Sequence, residues 1–271
     1  MLMITAINLK GGVGKTVITK NAAYALACAG RRVLVIDADS DCCLTDALLG
    51  EQVPRANLSD VLTAPDAGAD RAIVHYTGTP QHPLHMAGCL DVLPGSPDIA
   101  RAAPTFLATR PRQPVQQFHE ALPYALAHTS QSYDAVLIDP GPNWDAMTDA
   151  ILSIVDGIII PVVPEAMAIR SLKRLLTRIT AVSAGRPARD HFLLGVVLSK
   201  IMSAPQQELA RTLRGSLTRA GIPVFQTVIP FTDQVWQADG EQVPVAAYAP
   251  DNAAALAFNA LAGEIREVAH V

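Results

Sequence analysis

Two lysines, three glycines and a threonine stand together near the start of the chain, in the run Lys10-Gly11-Gly12-Val13-Gly14-Lys15-Thr16-Val17. Glycines let a backbone curl until successive N–H groups point inward as an anion nest, and a helix that starts directly after it adds its partial positive charge. In such a loop Lys15 reaches the β- and γ-phosphates of a nucleotide, and the Thr16 hydroxyl can ligate Mg²⁺. The generic GxxxxGK[ST] pattern is not met strictly, because Leu9 stands where its first glycine belongs. A second chemistry lies in aspartates that end apolar runs: Asp37 and Asp39 after Val33 to Ile36, and Asp139 after Ala135 to Ile138. A carboxylate at a buried strand end suits holding Mg²⁺ through water. His82 and His85 with Cys89 have metal-like residue types, but isolated His and Cys in a Pro-containing loop read as loop residues.

These side chains need a scaffold that aligns strand ends. Apolar, β-rich runs alternate with helical periodicity: Ile4 to Leu9, a helix from about Thr16 to Ala29, Val33 to Ile36, Leu90 to Leu93, a helix from about Val115 to His128, and Ala135 to Ile138. The second half continues with helix Asp145 to Ile154, strand Ile158 to Val163, helix Ala166 to Ala181 and strand Phe192 to Leu198. A helix from about Gln206 to Ala220, strand Val224 to Ile229 and a helix over Asn252 to Val268 close the chain. The alternation predicts an α/β fold, a mainly parallel twisted sheet with helices on both faces, and the nearly all-apolar strands fit burial on both faces. Thr63 to Thr109, with several Pro and Gly, reads as a surface excursion.

Composition bounds the partners. Of 271 residues, 50% are hydrophobic and 17% charged, which excludes a disordered chain. The apolar stretch Ala150 to Ile169 is broken by Asp156, Pro161, Pro164 and Glu165, so it is no bilayer span. Four cysteines without paired spacing fit a reduced cytosolic protein. The net charge of −4 excludes a uniformly basic coat, yet it hides a distribution. Between Ala166 and Ala220 ten cations face two acids, giving +8 there and −12 elsewhere. Arg170, Lys173, Arg174 and Arg178 share one helix face, and Arg211 and Arg214, with Arg219 beyond, lie on the next helix. Such stripes suit phosphate contacts to nucleic acid; the plain alternative is a pair of solvated helix faces.

KGGVGKT resembles the deviant Walker A box of the ParA/MinD family of P-loop ATPases, in which an additional lysine stands at the position of Lys10. The resemblance implies a single ATPase domain over residues 1–271 with ATP/ADP and Mg²⁺ as cofactors, and an ATP-sandwiched homodimer. Lys10 would contact the other subunit's phosphates, a trans-acting cation like an arginine finger. Arg32 to Asp39 resembles the second strand and switch I, with Asp39 orienting or deprotonating the attacking water and Asp37 supporting it. Tyr133 to Pro142 resembles Walker B and switch II, with Asp139, Thr16 and Asp39 at the metal. Ser199 and Pro230 would lie on the adenine side. Ser40-Asp41-Cys42-Cys43 departs from the family's usual switch I, Gly141 stands where a Pro is common, and Phe231 where an Arg often follows Pro230.

Within the family, the last helix places Leu256, Leu261, Ile265 and Val268 at core spacing with a single cation, Arg266, unlike a membrane anchor. No Cys follows Cys89 to hold an iron–sulfur cluster. The signature lysine is present, and the chain starts on its first strand, so no helix-turn-helix extension is expected. The resemblance is therefore closest to ParA-type (Soj-like) partition ATPases. It implies a slow ATPase that binds double-stranded DNA non-specifically as a dimer and is released when a ParB-like adaptor stimulates hydrolysis, in the cytoplasm on the nucleoid and without a membrane. A cargo-positioning ATPase acting on a protein assembly, and a weakly hydrolysing nucleotide-binding module, are the alternatives.

Overall fold

The computed structural model describes residues 1–50, 55–109, 117–129, 132–165, 167–183 and 192–270. In chain order the first half comprises β1 (Leu2–Ala6), α1 (Lys15–Cys28), β2 (Arg32–Ala38), α2 (Cys43–Leu49), α3 (Leu58–Thr63), β3 (Val74–His75), β4 (Cys89–Leu93), α4 (Ala102–Thr109) and α5 (Ala121–Ala127). The second half comprises β5 (Ala135–Pro140), α6 (Ala146–Ile154), β6 (Gly157–Val162), α7 (Ala168–Ser183), β7 (Leu193–Ile201), α8 (Ala204–Arg219), β8 (Val224–Pro230), α9 (Asp233–Gly240), α10 (Val245–Tyr248) and α11 (Ala253–Ala269).

The strands join in one sheet of order β3-β4-β2-β5-β1-β6-β7-β8. All neighbours are parallel except the short edge pair β3–β4. Alternate side chains feed two cores, as the period of a strand requires. Leu34 and Ile36 of β2 pack with α3 to α8 on one face. Val33 and Val35 pack with α1, α2 and α9 to α11 on the other. The order reverses about β1, so the strand ends beside it open the crevice in which α/β sheets bind ligands. No helix among the described residues is long and apolar enough to cross a membrane.

Three expectations need correction. Thr63 to Thr109 is no surface excursion, for Tyr76, Ile99 and Phe106 are buried and β4 is an interior strand. Its Pro and Gly mark turns between short packed elements. The helix expected from Val115 starts later, at Ala121, behind a 3-10 turn over Phe118–Glu120 with a reciprocal cap between Gln117 and Glu120; residues 110–116 lie outside the described residues. On α11, Leu261 and Ile265 are buried as their spacing implied, but Leu256 is 56% exposed. Phe258 and Ala262 fill the core stripe instead.

Candidate functional site

The glycine loop joins β1 to α1 at the C-terminal edge of the sheet. Gly12 and Gly14 have φ of 73° and 96°, the left-handed region that favours glycine, and Gly14 caps α1 without any side-chain bond. The first N–H groups of α1 are therefore left for a ligand. Side chains brace the loop from below. Val13 is buried and its carbonyl accepts the Ser199 hydroxyl at 2.8 Å, while Asn8 donates to the Pro161 carbonyl at 2.7 Å and accepts the Lys10 N–H at 2.9 Å. Ser199, expected on the adenine side, lines a smaller cavity beside Pro230 and also holds the loop itself.

Three strand ends bring the charged groups together. Lys15 is 7% exposed, and burial pulls its pKa down while Asp139 and Asp39 oppose the shift. Asp37 and Asp139 are register partners on β2 and β5. Asp37 accepts the Thr45 N–H and hydroxyl at 2.8 and 2.7 Å and the Asp39 N–H at 3.1 Å. It therefore ties α2 and switch I to the strand end rather than facing the cavity. The Thr45 hydroxyl in turn accepts the Gly95 N–H at 2.8 Å. A side chain at Gly95 would come within 2.9 Å of the Asp37 carboxyl carbon, so glycine is required there.

Asp39 is 8% exposed, accepts the Asp41 N–H at 3.1 Å and lines the cavity above the loop. Gly141 lies against it: a Cβ there would be 3.1 Å from Asp39 Oδ1. Asp139 has no exposed surface, and neither of its carboxylate oxygens has a hydrogen-bond partner. Burial, then repulsion from Asp37, pushes its pKa up to about 8; the nearby Thr16 hydroxyl and Lys15 temper the shift. An orphaned buried carboxylate beside a threonine hydroxyl is a hard-oxygen donor set, which fits Mg²⁺.

The cavity over the loop measures about 620 Å³ and is lined by Gly11, Gly12, Gly14, Lys15, Thr16, Val17, Asp39, Asp41, Cys43 and Lys200 among others. Asp41 does add negative charge there. The Cys42 and Cys43 thiols are both pushed up by burial, Cys42 to about 12, so both stay protonated at neutral pH. A second cavity of about 130 Å³ adjoins it, lined by Val17, Ser199, Pro230, Phe231 and Trp236. Phe231 and Trp236 meet edge to face, with centroids 5.8 Å apart. This aromatic wall, supplied by α9 and the loop before it, was not foreseen; two aromatics after a strand ending in Pro were the available signal.

Lys10 is half exposed and its ammonium pairs with Glu165 of its own chain at 2.5 Å. The basic helix faces divide. Arg170, Lys173 and Arg174 of α7 are exposed and have no ion-pair partner among the described residues. Arg178 instead lies 4.2 Å over the Trp144 ring. On α8, Arg211 pairs with Glu208, Arg214 donates to the Gln226 side chain and carbonyl at 3.0 and 2.9 Å, and Arg219 donates to the Gly215 carbonyl at 3.1 Å. Arg186 and Arg189 lie outside the described residues. Among the described residues no three His, Cys, Asp or Glu gather as a metal group, and His82 packs edge-on to Tyr248.

Residues 1–189 match the family described as AAA domain. The chain is 31% identical over 265 residues to the chromosome-partitioning ATPase Soj of Thermus thermophilus, covering 97% of this chain and 94% of that protein. It is 30% identical over 268 residues to the chromosome partitioning protein ParA of Caulobacter vibrioides, covering 97% and 94%. The chain belongs to the ParA/MinD family of P-loop ATPases. Solved structures share the fold. Cobyrinic acid a,c-diamide synthase from Mycobacterium smegmatis, with an ATP analogue and magnesium, has a TM-score of 0.76 at 26% identity over 98% of this chain and 95% of that one. The cell division ATPase MinD of Pyrococcus furiosus has 0.72 at 24%, over 98% of each chain. Membership of the ParA/MinD family supports nucleotide hydrolysis in general.

Proposed function

We propose that this chain is a partition ATPase of the ParA type: an ATP-dependent homodimer that binds DNA without sequence choice and lets go after hydrolysis. The observation that carries the nucleotide half is the glycine loop with its unbonded helix start, facing an orphaned Asp139. Gly11, Gly12, Val13, Gly14 and Val17 offer backbone N–H groups to phosphate, and Lys15 neutralises it. Thr16 and Asp139 would hold Mg²⁺, with Asp39 beside them. The metal, when bound, neutralises charge on the phosphate oxygens. Asp39, anchored through the Asp41 and Asp37 bonds, orients the attacking water and accepts its proton. Pro230 and the aromatic wall take the base.

Lys10 acts in trans. Its pairing with Glu165 in cis means that dimerisation exchanges one anionic partner for another. The likeness to Soj and ParA supports a partition role, and the uncommitted cations of α7 support DNA as the matrix. A ParB-like adaptor stimulates the slow hydrolysis, and the protein works in the cytoplasm on the nucleoid. This is switching by population, since ATP favours the DNA-binding state.

Gel filtration with ATP and with ADP, followed by binding to random-sequence duplex, tests the reading. ATP should yield a dimer that retains duplex and ADP a monomer that does not. Lys10→Ala should still bind ADP but fail to dimerise with ATP. A wild-type chain that stays monomeric and ignores duplex in both nucleotides would refute the proposal.

A further inference from the structure

A nucleotide bound as read above runs from the glycine loop to the aromatic-walled cavity, so its sugar lies where the two cavities meet. Gly14, Val17, Lys200 and Asp239 line both cavities. Of these four, Asp239 has the carboxylate. Its Oδ1 is held by the ammonium of Lys20, a residue of α1 that is 1% exposed and whose other contact is the Val243 carbonyl at 3.2 Å. Its Oδ2 makes no hydrogen bond to a described residue, and its side chain is 36% exposed. Burial lowers the pKa of Lys20 and Asp239 opposes the shift, so the pair depends on staying together.

The chemistry of that carboxylate narrows what it can meet. An ionised carboxylate only accepts hydrogen bonds and repels phosphate. Between the phosphates and the base of ATP, the O–H donors are the ribose hydroxyls. We propose that Asp239, positioned by buried Lys20, accepts a hydrogen bond from a ribose hydroxyl of the bound nucleotide and selects ribonucleotides over their deoxy counterparts. The proposal rests on the nucleotide reading above and deepens it. It also accounts for a lysine buried within α1, because Lys20 fixes the position of α9, which carries both Asp239 and Trp236 of the aromatic wall.

Titration calorimetry with Mg²⁺ and ATP, 2′-deoxy-ATP, 3′-deoxy-ATP or inosine triphosphate tests it. In the wild-type chain at least one deoxy nucleotide should bind about tenfold more weakly than ATP, the usual scale for a hydrogen bond to a charged group. Inosine triphosphate should stay within about threefold, since it keeps the sugar and lacks the amino group. Asp239→Asn leaves Lys20 charged and unpaired, so Lys20→Met/Asp239→Asn, which removes both charges, is measured beside it. In whichever variant folds, the ATP preference should fall below about threefold. Equal wild-type binding of ATP and both deoxy nucleotides, an unchanged preference in the double variant, or a loss confined to inosine triphosphate would overturn the role of Asp239. Failure of the wild type to bind ATP or ADP at all would instead overturn the nucleotide reading, and this inference with it.

Discussion

A carboxylate with no exposed surface and no hydrogen-bond partner is costly to keep ionised, and Asp139 is such a group. With its pKa pushed up to about 8, the native chain holds a proton that the unfolded chain, titrating near about 3.9, has already released. Below about pH 4 both states are protonated and the contribution to stability is complete. Between about pH 4 and pH 8 it is lost, with a limiting slope of about 1.4 kcal/mol per pH unit. The nucleotide-free protein should therefore melt at lower temperature as pH rises through that window. Asp139→Asn should flatten the dependence, raise Tm near about pH 8 and abolish Mg²⁺-dependent stabilisation by nucleotide. A variant melting with the wild-type slope would clear Asp139 of responsibility. The sequence already marked this residue, because an aspartate ending an apolar strand announces its own burial. Lys20 and Asp239 were not legible, since their pairing spans the chain and exists only once α9 folds over α1.

Elements were legible where periodicity had length to act. On α7 the buried Leu172, Leu175 and Ile179 oppose the cationic face, so one pattern identifies both the helix and its exposed side. Shorter α2 and α9 escaped, because two turns carry little periodic signal and α2 is fixed by the distant Asp37. The contact that joins α7 to the cavity was equally hidden. Pro142 lines the cavity, and two residues later Trp144 donates to Asp149 at 2.6 Å while its ring supports Arg178. The loop after β5 is thus attached to the basic helix through one aromatic face. A double-mutant cycle with Trp144→Leu and Arg178→Met, read by urea unfolding, should give a coupling energy of about 0.5–1 kcal/mol, the range for a partly exposed cation over a ring. Additive effects would show that the stacking carries no energy.

At the scale of the molecule, the net charge of −4 is a poor guide to partners, because the fold separates it. The acids of the site collect at strand ends, while α7 and α8 lie in one layer against the same core. The linear window of +8 was visible in the sequence, but which of its cations are uncommitted was not. Arg211, Arg214 and Arg219 bond within α8 and to β8, and Arg178 lies over Trp144, whereas Arg170, Lys173 and Arg174 reach solvent alone among the described residues. Phosphate contacts release counterions, so each cation that meets duplex adds about 0.9 to the slope of log affinity against log salt. If α7 meets DNA, Arg170→Ala/Lys173→Ala/Arg174→Ala should reduce that slope by about 2 to 3 and weaken all sequences alike, leaving ATP-dependent dimerisation intact. Arg178→Ala alone should change the slope by less than about 0.9, because its guanidinium is already engaged. A triple variant with the wild-type slope would make the α7 face a solvated surface and move the DNA contact elsewhere on the dimer.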